Sequence, residues 1–566
     1  MAEPLIISNF QDAVAGSPYQ GHALMRNIDI DAFPGAMRAR NLMFSMIPGV
    51  TTRTFTADAS TDICTASGSL VTQAETDATT NYGIAAVQFT TTGTLPAGLS
   101  LATTYFLIYV SDTTFKVATT VANALASTAI DITDAGSGVH TVTSLSVGTI
   151  KWIVRDKNTG NYFAVDSNGR VWYTRGSVIA YLLTGNTLTQ GHGNGLAIFR
   201  VSDGTATYLF VFRDNVVDVI NVYASANLDT PVWSTNWQSL NAASGSSKRH
   251  QALVGQDNII YFVDDRYVGS IQEKAGSVFD PASAATYTYN NQALTLPQNE
   301  YAYCLEELNT NLLVGGNNFN KIYPWDRVSS SFTIPLQVPE NSIFEMKNLG
   351  NRVVILAGTK GNVYSTQGTY VKLFREIPTY ITNNSNNLVT APATWGGIAA
   401  RTGAVVFGVA FPSNTTASGI YVLYEDGRLL QDNTAYGGAQ NVTALYAESE
   451  ITSFVIGYAG GFDYSAATKP SSATYRAVYQ SELFKVGDAI HKMKYSSLEI
   501  QQGRNQGGKI RIGYRTDLTS AFTTMLTTST NQMSYKLDSG LTNLEVVQFQ
   551  VEFDSNIEIS RIALFP

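Results

Sequence analysis

Charge is scarce in this 566-residue chain: Asp, Glu, Lys and Arg together make up 14% of it, against about a quarter in an ordinary soluble domain. The formal net charge is −8 and the pI is near 5.3. Lys and Arg do not cluster, as a protein that grips nucleic acid through its phosphates requires. The densest basic run, Lys248-Arg249-His250, follows a Ser/Gly-rich stretch and reads as a solvated loop. Cysteine is nearly absent, and Cys64 and Cys304 lie too far apart to suggest a disulfide framework. Histidine is rare as well. His22, His140, His192, His250 and His491 fall in five separate segments, none beside a second His or a Cys, so no metal site is expected.

Long apolar runs are missing. No stretch reaches the roughly 18 residues of a membrane helix, so membrane insertion by this chain is not expected. The opening residues Met1 to Ser8 lack the basic and apolar regions of a secretory signal, and a cytoplasmic product is expected. There is no phosphate-binding Walker loop, nucleophile elbow, paired-histidine motif or dinucleotide fingerprint. The expectation is a non-enzyme with no catalytic residue and no cofactor.

Helical periodicity is almost absent too. In its place are Thr, Ser, Asn and Gly, with 30 Tyr and 26 Phe, in a chain that is 44% hydrophobic. β-branched and aromatic side chains suit a pleated, half-buried surface. A hairpin recurs at Tyr162–Tyr173, Tyr208–Ile220, Ile259–Val268, Asn311–Tyr323, Arg352–Tyr364 and Gly419–Leu430. Its turns, near 169, 215, 265, 318, 361 and 427, are 46, 50, 53, 43 and 66 residues apart. A four-stranded propeller blade takes about 40–50 residues and has one central hairpin. Tandem sandwiches would close roughly every 100 residues. The reading is an all-β chain with a β-propeller of six or seven blades over 149–478. A loop or degenerate blade is expected in the long last interval.

Residues 54–148 are rich in Thr, Ala and Ser, with strands expected at Ala86–Thr90, Tyr105–Val110 and Thr114–Val117. They read as a small β-sandwich or barrel inserted into the propeller. Residues 1–53 hold too little apolar content for a domain and are expected to complete the first or last blade. Alternation in Lys509–Tyr514 and Val546–Phe553 marks 479–566 as a C-terminal β-sandwich.

Other motifs read as structural. Asp29 and Asp31 lack the Gly and terminal Glu of a calcium loop. Val165–Trp172 approximates the Asp-box turn of sialidase-like propellers, but its Asp-to-Gly spacing is one too long, and a hairpin with a buried Trp accounts for it. Gly191-His-Gly-Asn-Gly195 leads into a strand, whereas a phosphate cradle would lead into a helix. Trp233 and Trp237 could stack sugars or bases, but as loop anchors they need no ligand. Arg26, Arg38 and Arg40 suit ion pairs, a partner ring or DNA.

The inserted segment carries the most specific signal. Thr54–Asp62, Phe89–Leu99, Thr104–Ile108, Thr114–Ala118 and Ala129–Val142 resemble a β-module that decorates many structural proteins of tailed bacteriophages. The opening Gly21–Gly35 with Arg38 and Arg40, Leu313-Val-Gly-Gly with Tyr323-Pro-Trp-Asp326, and Gln480–Gly487 resemble the tail nozzle or tail hub (packaged-DNA stabilisation) family of short-tailed phages. That resemblance implies a structural virion protein assembled in the host cytoplasm. It implies a homohexameric ring below the head-to-tail adaptor (connector) protein and near tail fibres or tailspikes, with viral DNA as a non-specific passenger. Its DNA channel-lining residues are not identifiable from sequence. Two other readings differ in class: a tail-fibre or receptor-binding adhesin for host glycan, and a propeller glycan lyase or hydrolase whose carboxylates converge on the axis.

Overall fold

The computed structural model describes residues 5–8, 24–26, 28–29, 37–39, 43–46, 52–70, 85–174, 180–185, 188, 195–243, 248–316, 318–377, 380–382, 388–390, 393–411, 418–427, 429–432, 441–447, 454–465, 477–481, 484–486, 493–504, 508–517, 520–529, 534–554 and 557–565. Among them run seven four-stranded blades in chain order, six as separate sheets and the sixth blade as part of a ten-stranded sheet. Blades 1 to 4 begin with Ile150–Arg155, Gly195–Arg200, Ala252–Val254 and Ala302–Leu308. Blades 5 to 7 begin with Ile343–Leu349, Thr394–Arg401 and Ala444–Ala447. The chain is an all-β β-propeller carrying two further β-regions.

Burial differs by position within a blade. Second strands are covered on both faces, so Thr207–Arg213 is apolar almost throughout and Ala404–Ala410 is wholly buried. Fourth strands lie at the outer edge, and no residue of Trp233–Ser239 or Val371–Glu376 is buried. The tight turns need positive φ, which Gly169 (73°) and Gly361 (78°) supply. Asp214 (49°) and Asp265 (61°) do the same in blades 2 and 3 without glycine.

The chain divides into two compact units. The first is Ser45–Gln337 with Val455–Tyr464. Within it the first strands of blades 1 to 4 pack side by side in chain order, so they are the inner strands. Between blades 2 and 3 lies an aromatic core of Phe199, Phe210, Phe212, Phe262 and Phe279. Tyr261, Val263, Leu305, Val314 and Trp325 fill the space between blades 3 and 4. Each such ring contributes about 1.5–3 kcal/mol on burial.

The inserted segment is a closed barrel of six strands: Arg53–Asp58, Ile63–Ala66, Ala86–Thr91, Tyr105–Ser111, Thr114–Ala118 and His140–Ser144. It has its own core of Phe55, Phe89, Tyr105, Phe115 and Val142. His140 is buried there, its Nδ1 2.9 Å from Thr91 Oγ1 and its Nε2 3.1 Å from the Ala135 carbonyl.

The second unit is Met1–Phe44, Val338–Phe454 and Ser465–Pro566. Leu356, Val363, Trp395, Phe407 and Tyr421 form its core between blades 5 and 6. Two further sheets make the C-terminal sandwich. One contains Met493–Arg504, Ser534–Leu544 and Glu558–Phe565, and the other Ala477–Gln480, Ile510–Arg515, Thr523–Thr528 and Val546–Phe553.

The N-terminal strands are distributed among these sheets. Met43–Ser45 is the outer strand of blade 7. Leu5–Ser8 and Met37–Ala39 pair instead with Glu558–Phe565. Leu24–Arg26 pairs in parallel with the outer strand of blade 6 at Gln431 and antiparallel with Ala477–Gln480, joining blade 6 and a C-terminal sheet into one ten-stranded sheet.

The long last turn interval has a simple origin. The turn at Gly427 joins the third and fourth strands of blade 6, Gly419–Tyr424 and Leu429–Asp432, and not its central pair. A separate hairpin, Tyr380–Thr382 with Leu388–Thr390, also lies between blades 5 and 6. Blade 7 turns at Gly460 between Phe454–Tyr458 and Gly461–Ser465.

Candidate functional site

The inner strands of blades 1 to 4 bring the chain's densest basic run into the protein. Lys248-Arg249-His250 precedes the inner strand of blade 3 and is solvated only in part: Lys248 is exposed, Arg249 half-buried and His250 buried. Lys248 Nζ pairs with Asp265 and sits 3.9 Å from the centre of the Tyr301 ring. The Arg249 guanidinium carbon lies 4.4 Å from the Trp152 ring centre and 4.7 Å from that of Tyr303. Trp152 belongs to the inner strand of blade 1 and Tyr303 to that of blade 4. His250 is fully buried, with Nδ1 3.0 Å from the Val263 carbonyl and Nε2 2.8 Å from the Asp214 carbonyl. Beside this cluster, Lys151 is half-buried, and desolvation lowers its pKa despite the opposing charge of Asp166.

Buried carboxylates brace the blades. Asp166 accepts from the backbone N–H groups of Gly148, Asn168 and Arg170 and from Trp172 Nε1 at 3.1 Å. The Asp-box-like turn is therefore a hairpin with a buried Trp. Asp264 takes both the backbone N–H and side-chain amide of Asn241, and the N–H of Ala242. On the inner strand of blade 4, Glu307 receives Arg327 at 2.6 Å and the N–H of Gln256. A hydrolase would need such carboxylates facing substrate. These three accept from backbone amides, the Trp172 indole, the Asn241 side-chain amide and the Arg327 guanidinium.

Third-strand tyrosines repeat a related device. Tyr323 donates to Glu300, and Tyr364 to Glu340 at 2.8 Å. Both glutamates lie in the linker just before their blade's inner strand. Burial, then the carboxylate partner, pushes the Tyr364 hydroxyl up to about 12 and raises Tyr323 as well. Burial also lifts the Cys64 thiol to about 12, and Cys64 and Cys304 are buried and form no disulfide. Among the described residues no group of three His, Cys, Asp or Glu is placed to hold a metal ion. No helix among them is long and apolar enough to cross a membrane.

Trp233 and Trp237 act as anchors. Trp233 Nε1 donates to the Thr184 carbonyl of blade 1, and Trp237 Nε1 to the Pro281 carbonyl of blade 3, each at 2.9 Å. Trp237 also packs on Phe210, Phe279 and Tyr287. Trp237→Ala is expected to cost about 3–5 kcal/mol of stability, read by chemical denaturation. A variant as stable as the parent would show that the indole is free for a ligand. Gly195 is the first residue of the blade 2 inner strand. Arg26, Arg38 and Asp29 lie in short strands, while Arg40, Asp31, His22, His192, His491 and residues 191–194 fall outside the described residues.

The sequence matches no family model. No curated protein matches it either. Solved structures similar to the chain include the following three. The Cps50 (Swd1) β-propeller domain of Myceliophteria thermophila is 9% identical at a TM-score of 0.38, covering 57% of this chain and 99% of its own. The RRP9 WD40 repeats are 12% identical at 0.39, covering 56% and 94%. The computationally designed Ika8 protein is 15% identical at 0.34, covering 56% and 98%.

Proposed function

We propose that this chain is a structural protein of a tailed-bacteriophage virion, forming the tail nozzle or hub ring below the head-to-tail adaptor. In that role copies of the chain assemble as a homohexamer that retains packaged DNA and conducts it on ejection. The observation that carries this reading is the inserted barrel. The segment that resembles a phage decoration module folds as a closed unit on its own core, between the outer strand of blade 7 and the inner strand of blade 1. An insertion there adds surface without interrupting any blade. That suits a scaffold meeting several neighbours better than an enzyme.

Net charge agrees with a conduit, since a wall of like charge does not hold the polyanion it passes. The route would lie between copies. Within one chain, Arg249 bridges Trp152 and Tyr303 on the inner strands of blades 1 and 4.

The test is electron microscopy of the full-length protein, alone and with the adaptor, together with antibody labelling of intact particles. Six-fold rings at the tail are expected. A three-fold stalk that binds host glycan would replace the nozzle by an adhesin. Depolymerisation of host polysaccharide would replace it by an enzyme, and a monomer absent from particles would end the virion reading.

A further inference from the structure

The Arg249 contact joins parts of the chain that have no need to meet. Blades 1 and 4 are separated by two blades, yet Trp152 from one and Tyr303 from the other face the same guanidinium. Each ring sits on a supported strand. Trp152 lies between the buried Ile150 and Ile153, and Tyr303 between the buried Ala302 and Cys304. Trp152 pairs with Val165 within blade 1, and Tyr303 stands at the bulge between Ala302 and Cys304 in blade 4. Arg249 reaches them from a third place, the connection entering blade 3. Its neighbours fix it there: Lys248 through Asp265 and Tyr301, and His250 through two backbone carbonyls.

We propose that Trp152 and Tyr303 form a guanidinium-binding slot, and that Arg249 is its resident ligand, holding it shut in cis. Two aromatic faces attract a cation through their quadrupoles. A planar, weakly hydrated guanidinium stacks between such faces better than an ammonium does. The class of ligand is therefore an arginine side chain or a small alkylguanidinium. Access requires that Arg249 swing out or be removed. This inference concerns one chain's inner wall and stands apart from the virion role.

The experiment uses full-length protein with Arg249→Ala, Arg249→Lys and the double variant Trp152→Ala/Arg249→Ala. The probe is ethylguanidinium at non-denaturing millimolar concentration, with potassium chloride at equal ionic strength as control. Arg249→Ala is expected to lower Tm by about 1–3 °C. Ethylguanidinium should restore at least half of that loss, saturably, while the parent and the double variant do not respond. Hydroxyl-radical footprinting should show Trp152 and Tyr303 more oxidised in Arg249→Ala and protected again by the probe.

A folded Arg249→Ala protein that gives no saturable recovery, or a parent that responds equally, overturns the slot. If Arg249→Ala does not fold, Arg249→Lys decides. It is expected to melt below the parent with raised oxidation of Trp152. Equal Tm and equal protection would overturn the proposal.

Discussion

A chain lacking its first 46 residues is expected to lose its sharp thermal transition, or to fall out of solution. Those residues supply the outer strand of blade 7 and three kinds of pairing in the second compact unit. Met46 shows how closely the segment is tied in. Its N–H donates to the Phe462 carbonyl at 2.7 Å, and its carbonyl accepts from Ala180 at 2.6 Å. Without the segment, Gly461–Ser465, Leu429–Asp432 and Glu558–Phe565 each gain a bare edge. Unpaired edges template aggregation. The apolar surface uncovered adds a loss on the order of several kcal/mol. Calorimetry and limited proteolysis measure the effect. A truncated chain that melts with the parent would mean the N-terminal strands contribute nothing to closure.

Gly195→Ala and Gly396→Ala should each destabilise by about 1–3 kcal/mol or more. Both glycines lie on inner strands, of blades 2 and 6. A Cβ on Gly195 would run into the carbonyl of His250, and one on Gly396 into the carbonyl of Val442. In each case the obstacle is backbone two residues ahead of the next blade's inner strand, at Ala252 or Ala444. Inner strands converge toward a propeller's axis, where even a methyl group lacks room. A backbone carbonyl, unlike a flexible side chain, cannot turn aside. Thr394→Ala, at an exposed position on the same strand as Gly396, is the control and should stay within about 0.5 kcal/mol. If the Gly396 variant matches that control in urea, the close approach is not what constrains this position.

The blades were legible in the sequence through their second and third strands. Those are buried on both faces, so Tyr208–Phe212 and Val353–Ala357 read as apolar runs beside a turn. Fourth strands such as Trp233–Ser239 mix polar and apolar residues at an exposed edge and give no such signal. That is why blade 6 was located by its third and fourth strands. There the outer strand carries Leu429 and Leu430, both buried. The N-terminal strands were illegible for a different reason. Leu5–Ser8 finds its partner more than five hundred residues away, and no local pattern encodes that pairing. Lys248-Arg249-His250 failed likewise. Two cationic side chains and an imidazole in a row look solvated in sequence, whereas Arg249 meets Trp152 and Tyr303 from other blades and His250 is buried. The Trp237 anchor was foreseeable as an anchor, but its acceptor, Pro281, was not.

The pairing of Leu5–Ser8 with Glu558–Phe565 has a consequence in time. A ribosome makes the second of these strands about 550 residues after the first. At roughly 5–20 residues per second the wait lasts on the order of half a minute to two minutes. Throughout it Leu5–Ser8 lacks the strand it pairs with. The sheet that Leu5–Ser8 edges is therefore completed late in synthesis, and until then its backbone groups stay open to other partners.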